Sequence, residues 1–342
     1  MLGPIHGGTV VPRNQLRRVT KLEDAAPPAL SGLNLHDADR VDAYVSKATA
    51  ESTRRAYASD WRIFTAWCES RALPALPSNP PTVAAFLAAE ADAGTASSTI
   101  GRRLAAIVFA HRVANFLAPT SQAGGILVET TMRGIRRDRR GVPPAKKQAA
   151  DGDVLRDMLR SIVGDDLRSA RDRALLAVGM GGAFRRSELV AINSMHVTIV
   201  EAGLQIFIPI SKTDKFGDGQ SVVIPDGKRI APVTLYKTWI ERASITDGPV
   251  FRKLTPQGRR TEKPMSARGV ARVVKARAEA AGYDPHLFSA HSLRAGFLTE
   301  AARQGANVFR MRDHSRHKSL EMVAEYVRNH ELFRDHAGEK FL

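Results

Sequence analysis

This chain is short of cysteine, of aromatic side chains and of long apolar runs. Cys68 is the only cysteine in 342 residues, which excludes an intramolecular disulfide and a cysteine-rich zinc site. It stands beside Trp67 in an apolar stripe and reads as a buried core thiol rather than a nucleophile. Aromatics make up 6% of the chain against 43% hydrophobic residues, which fits helices packed through alanine and leucine better than an all-β core. No apolar stretch is long enough to span a bilayer, and Met1 to Leu30 carries no signal-peptide core. A cytoplasmic protein with no membrane partner is expected.

Negative charge is scarce as well. Only 35 acidic residues face 51 lysines and arginines, giving a formal net charge of +16. Such an excess favours a polyanionic partner, and nucleic acid stands ahead of a membrane surface.

The length favours two domains, each large enough to bury a core. Residues 1–38 carry prolines, glycines and scattered charges without periodicity and read as a flexible tail. From Ser52, an expected helix cap, Tyr57, Trp61, Phe64 and Cys68 recur at helical spacing. Pro74, Pro77, Pro80 and Pro81 then break the chain, and a second helix starts at Val83. Ile100, Leu104, Ile107 and His111 mark a third, and a segment around Val128, Met132 and Ile135 completes a helical module over 39–132. Arg54, Arg102 and Arg103 are its candidate phosphate contacts, joined by Arg136 and Arg137 of the segment that follows, although adjacent arginines on a helix are equally read as a solvated face.

A basic linker is expected over 133–150, where RGIRRDRRGVPPAKKQ joins clustered charge to Gly141, Pro143 and Pro144. The second domain then covers 151–342. Helical stripes at Val154, Met158 and Ile162 and through Ala174 to Val178 precede β-rich runs at Val197–Val200 and Leu204–Ile210. Gly217-Asp218-Gly219 turns the chain into a returning strand at Ser221–Ile224. Helices are expected to dominate from Val233 to the end, covering Trp239, Val270 to Ala280, Leu293 to Ala302 and Met322 to Tyr326.

Several residues of this domain carry chemistry. Arg185 and Glu188, three apart, would share a helix face and form an ion pair, which alone is ordinary. His291 and Arg294 repeat that spacing at the start of a helix, whose N-terminus favours an anion. Arginine suits phosphate because it is always charged and offers two parallel donors. Lys212, entering a hairpin loop, could give a proton to a departing oxygen, with Lys215 as a competitor. His317 could hydrogen-bond a non-bridging oxygen; His314 with His317 could instead suggest a metal, but no cysteine or acidic companion supports one. Tyr326 is a phenol that needs activation before it can attack, and on EMVAEYVR it could equally be a packing residue.

Together, GAFRRSEL, ISKTDKFGDG, FSAHSLRAGF and RHKSLEMVAEYVR resemble the tyrosine recombinase (phage integrase) family of the Xer and Cre type. STRRAYASDWRIFTAWC and STIGRRLAAIVFAHR look like its helical core-binding domain. The resemblance implies a mainly α (α+β) fold: an N-terminal SAM-like helical bundle and a C-terminal, mostly helical catalytic domain with a small antiparallel β-sheet. It implies that Arg185, Lys212, His291, Arg294 and His317 surround the scissile phosphate, that Glu188 supports Arg185, and that Tyr326 attacks. Neither metal nor other cofactor is required. The implied partners are double-stranded DNA with an inverted-repeat site and three further copies of the chain, assembled as a homo-tetramer on two sites from a monomer or weak oligomer. Residues 331–342 would be exchanged between protomers, and the protein would be nucleoid-associated. One departure is Arg316, where the family usually has glycine for a tight turn; it is a further candidate phosphate contact. A type IB topoisomerase-like or hairpin-forming enzyme, and a catalytically silent DNA-binding relative, are the alternatives.

Overall fold

The computed structural model describes residues 48–139, 147–209 and 219–330, together with Arg40 and Tyr44. The expected tail 1–38, the C-terminal segment 331–342 and both hairpin lysines, Lys212 and Lys215, lie outside the described residues. Two units emerge, Met1–Pro143 and Pro144–Leu342.

In the first unit, helices α1 (Glu51–Glu69), α2 (Pro80–Asp92), α3 (Ser97–Val113) and α4 (Ile126–Asp138) surround one core. Trp61, Phe64 and Cys68 of α1 meet Val83, Phe86 and Leu87 of α2, Ile100 and Ile107 of α3, and Val128, Met132 and Ile135 of α4. Burial pushes the Cys68 thiol up to about 11, so it stays protonated as a core residue. His111 is also fully buried, yet it is satisfied: Nδ1 lies 2.8 Å from the Ile107 carbonyl and Nε2 accepts from the Ser78 amide at 2.9 Å.

The helix ends differ from the sequence reading for local reasons. Ser52 does not cap α1; Ala50 precedes the helix and offers no side-chain acceptor. Helix α2 starts at Pro80 rather than Val83, because Asn79 Oδ1 accepts from the Thr82 amide at 2.9 Å and proline is tolerated in the first turn. Those prolines open the helix instead of delaying it. Helix α4 runs past the expected limit at 132 to Asp138, since Ile135 extends its buried stripe. The first part of the expected linker 133–150 is therefore helix.

The second unit is built around α6 (Leu167–Gly181), which follows α5 (Gly152–Arg160) and leads into the short α7 (Arg186–Ala191). Ala174, Leu175 and Val178 of α6 enter one core, while Leu176 and Met180 enter another. An antiparallel sheet follows, ordered β1 (Val197–Val200), β2 (Gly203–Ile208), β3 (Gln220–Pro225). Its alternating Leu204, Ile206 and Ile208 pack with Val222 and Ile224 over Trp239 of α8 (Pro232–Arg242). A second hairpin, β4 (Arg252–Leu254) with β5 (Arg260–Pro264), interrupts the helices expected after Val233. Its strands, RKL and RTEKP, are too short and too charged to show apolar alternation.

Helices α9 (Ala267–Ala280), α10 (His291–Arg303), α11 (Val308–Ser315) and α12 (Leu320–His330) complete the described unit. The end of the expected linker docks on α10 and the turn before it: the Gln148 amide donates to the Leu287 carbonyl at 2.7 Å and the Ala150 amide to that of Ser292 at 2.9 Å. Gly296 permits this approach, because a Cβ there would stand 1.8 Å from the Ala150 oxygen. No described helix is long and apolar enough to cross a membrane.

Candidate active site

The site begins where α6 stops. Gly182 closes the helix, Ala183 turns the chain at φ 45°, and buried Phe184 anchors it, so that Arg185 is the residue immediately before α7. Arg185 and Glu188 therefore do not share a helix face, as their spacing predicts; Arg185 caps the helix and Glu188 is its third residue. The Glu188 carboxylate accepts from the Arg185 amide at 2.9 Å and from its Nη1 at 2.6 Å. That geometry fixes the guanidinium more firmly than a surface i,i+3 pair would.

Arg294, on α10, is 1% exposed. Its Nη1 donates to the Ala183 carbonyl at 2.8 Å and its Nη2 lies 3.2 Å from His317 Nδ1. Burial first, then the Arg185 and Arg316 charges, push the Arg294 guanidinium down to about 9, so it remains charged at neutral pH. A guanidinium can only donate, so in the tautomer that satisfies this contact His317 Nδ1 accepts and the one ring proton sits on Nε2. Ser315 Oγ, 2.7 Å from the same Nδ1, helps to hold the ring. Desolvation, followed by Arg294, Arg185, His291 and Arg316, pushes His317 down to about 3. The imidazole is therefore neutral at pH 7.

Arg316 corrects a sequence-based expectation. As a phosphate contact its side chain should reach solvent; instead that side chain is 1% exposed and forms a 3.0 Å ion pair with Glu188. Its Nη1 donates to the His314 carbonyl at 2.6 Å, and its Nη2 reaches the Gly182 and Ala183 carbonyls at 3.1 Å each. The guanidinium lies 5.2 Å from the Phe184 ring centroid. Arg316 adopts φ 58°, ψ 42°, the left-handed conformation that glycine would take without strain and that costs another residue about 1–2 kcal/mol. The turn is thus retained without the glycine.

A further expectation changes. His291 does start α10, but the first two amides of the helix are already engaged: the His291 amide donates to Ser289 Oγ at 3.2 Å and the Ser292 amide to the Ser289 carbonyl at 3.0 Å. His291 keeps an exposed edge while the rest of its ring is packed close to the arginines; desolvation, then Arg294 and Arg185, hold it below the ordinary imidazole value. His314 points away from any metal site shared with His317, with Nε2 2.8 Å from the Gly181 carbonyl and its ring stacked on Phe297 at 4.4 Å.

Tyr326 sits on α12, partly buried against Leu298, Ala302, Met311 and Val323. It is near enough to Arg294 for its charge to be felt there. The structure thus brings Arg185, Glu188, His291, Arg294, Arg316, His317 and Tyr326 to one end of the second unit. In the first unit, Arg102 is engaged bidentately by Asp60 at 2.7 and 3.1 Å, and Arg103 pairs with Glu90. Arg54, Arg136 and Arg137 are exposed. Ser315 was not anticipated, nor was the Ala183 carbonyl that takes both Arg294 and Arg316; the Ser315-Arg316-His317 run was the only sequence signal for the former.

Three guanidiniums around one carboxylate leave an excess of positive charge. Beside it stand a neutral imidazole and a phenol. Arg185, Arg294 and the histidines can bind a phosphodiester through its non-bridging oxygens and stabilise the negative charge of a phosphorane-like transition state while a tyrosine attacks.

This is the architecture of an enzyme that breaks and rejoins a phosphodiester through tyrosine. The model of the phage integrase family matches residues 151–332. Over 299 residues the chain is 35% identical to the integrase/recombinase xerD homolog of Selenomonas ruminantium, covering 86% of each chain. In fold it is similar to the XerH site-specific recombinase bound to difH substrate in a pre-cleavage complex, with TM-score 0.55 at 15% identity over 82% of this chain and 78% of that one. A lambda integrase tetramer bound to a Holliday junction gives TM-score 0.53 at 16% identity over 91% and 80%. The chain belongs to the phage integrase family and is a tyrosine-type site-specific recombinase.

Proposed function

We propose that Tyr326 Oη attacks a DNA phosphorus held by Arg185, Arg294, His291 and His317, forming the Tyr–O–P bond as the P–O5′ bond breaks. The products are a 3′-phosphotyrosyl protein and a free 5′ hydroxyl. Neutral His291, held below its ordinary imidazole value, takes the tyrosine proton as the bond forms, and the Lys212 ammonium gives one to the departing O5′. A 5′ hydroxyl from the partner strand then attacks the phosphotyrosine, releasing Tyr326 and resealing the backbone. Because the bond energy is kept in the phosphotyrosine, neither nucleotide nor metal is consumed.

The observation that carries this reading is the unbalanced arginine cluster beside Tyr326: it has more buried positive charge than its one carboxylate neutralises, and a phosphate supplies the remainder. The partner is double-stranded DNA with an inverted-repeat site, on which four copies assemble over two sites and exchange one strand pair at a time. The likeness to a lambda integrase tetramer on a Holliday junction supports that arrangement. Exposed Arg54, Arg136 and Arg137, together with Lys215, add backbone contacts, and residues 331–342 dock on a neighbouring copy.

The test is covalent trapping on a duplex nicked beside the cleavage position, from which the short 5′-hydroxyl fragment diffuses away. Wild-type protein yields a protein–DNA adduct with or without EDTA, and Tyr326→Phe yields none, a loss on the order of 10⁴-fold or more. An adduct that persists in Tyr326→Phe, or one that demands a divalent metal, would sink the mechanism.

A further inference from the structure

Arg316 has no part in the reaction described above, yet it is among the most deeply buried charges in the second unit. A buried guanidinium in a strained left-handed turn is an expensive substitute for glycine. Its contacts show what it holds. The Glu188 carboxylate is shared: Oε1 takes Arg185 Nη1 at 2.6 Å while Oε2 takes Arg316 Nη2 at 3.0 Å. Meanwhile the Arg316 carbonyl accepts from Arg185 Nη2 at 2.7 Å. Arg185 is therefore gripped twice by this one residue, directly through the backbone oxygen and indirectly through Glu188. The same guanidinium also ties down the Gly182 and Ala183 carbonyls, in the turn that delivers Arg185 and supplies an acceptor to Arg294.

We infer that Arg316 is a positioning residue: through Glu188 and the 182–183 turn it locks the Arg185 guanidinium in its phosphate-binding orientation before DNA arrives. Burial alone would raise Glu188, and the Arg316 charge is the foremost influence that instead keeps it below the usual carboxylate range. Without that second cation Glu188 would face Arg185 alone, and the turn would lose the side chain that joins its two carbonyls to α11. Only the Nε of Arg316 finds no acceptor among the described residues. Its other nitrogens are spent on the frame, so it acts on the phosphate only through its neighbours. The inference rests on the recombinase reading for its effect on rate, but not for its effect on Arg185 itself.

Arg316→Gly is the informative variant, because glycine accepts the left-handed turn and only the side chain is lost. Two measurements on the full chain are paired. The first needs no DNA: in protein labelled with ¹⁵N-arginine, the Arg185 Nη hydrogens are expected as separate, slowly exchanging signals in wild type and as one averaged signal in Arg316→Gly. Slow exchange surviving in the variant overturns the inference, whether or not the chain cleaves DNA.

The second uses a nicked duplex built from sequence selected on the full chain out of a random pool. Arg316→Gly is expected to slow adduct formation at saturating duplex by about a hundredfold, the scale of a misplaced catalytic group, with the half-saturating concentration changed by less than about twofold. Arg316→Lys keeps one charge for Glu188 but cannot bridge the carbonyls, and should recover to within about tenfold of wild type. In a Glu188→Gln background, adding Arg316→Gly should cost less than about a further twofold, since both act along one path. An unchanged rate, or a weakened half-saturation at unchanged rate, would reject the positioning role; the latter would make Arg316 a DNA contact. Absence of an adduct from wild-type protein would count against the recombinase reading instead, with the arginine signals still deciding for or against Arg316.

Discussion

Two arginine clusters, one in each unit, use the same chemistry to opposite ends. In the first unit Arg102 and Arg103 face Asp60 and Glu90, two cations against two carboxylates. In the second, Glu188 pairs with Arg185 and Arg316, and Arg294 beside them has no carboxylate partner among the described residues. The balanced cluster is complete as it stands and ties α1, α2 and α3 together. The unbalanced one keeps an excess of positive charge, which on the proposed mechanism a DNA phosphate neutralises. Charge count, more than the presence of arginine, separates a structural cluster from a reactive one.

The largest effect that would sharpen this contrast is expected from Arg294→Ala. Removing a buried donor from a site that stabilises developing charge should slow strand cleavage by on the order of 10³-fold, about 4 kcal/mol, measured as adduct formation at saturating duplex. A loss of a few fold would place Arg294 in the frame rather than at the phosphate. Next in size is Asp60→Asn, which upsets the balanced cluster. It should destabilise the first unit by about 1–3 kcal/mol in denaturant unfolding while leaving the cleavage rate of bound duplex within about twofold. If cleavage fell as steeply as in Arg294→Ala, the distinction between the two clusters would fail.

The smallest effects concern pH. His111 is held below its ordinary value of 6.5 by burial, outweighing its hydrogen bonds to Ile107 and Ser78. A histidine whose folded pKa is lowered binds its proton more readily when unfolded, so its contribution to stability is fully present above about pH 6.5 and is lost as pH falls below it. The first unit should therefore melt earlier on acidification from pH 7 to 5, and His111→Asn should flatten that slope. His317, pushed down to about 3, should give no step in the cleavage rate over the same range. The rate profiles of wild type and His317→Asn should run parallel between pH 5 and 8. A step that disappears with His317 would show that it titrates during the reaction.

The fold was legible where apolar spacing was strong. The stripe from Trp61 to Cys68, the alternation through Leu204, Ile206 and Ile208, and the helices carrying Arg294 and Tyr326 all follow from side-chain period. What escaped were elements without period. The β4–β5 hairpin is short and charged, and the start of α2 is set by a single cap at Asn79. Among the site residues, the sequence named Arg185, Glu188, His291, Arg294, His317 and Tyr326 by type and order, but assigned Arg102, Arg103 and Arg316 to phosphate on charge alone. The carboxylates that occupy those arginines come from other elements of the fold: Asp60 for Arg102, Glu90 for Arg103 and Glu188 for Arg316, at separations of 42, 13 and 128 residues.

The sequence by itself therefore determined the class of chemistry, because a tyrosine, its arginines and a histidine in this order are properties of residue type and spacing. Only the tertiary structure decided which arginines are free to meet DNA. That depends on where the opposing carboxylates and carbonyls fall in space: whether a guanidinium is spent on its own fold is settled by partners far along the chain, 134 residues away in the bond from Arg316 to the Gly182 carbonyl.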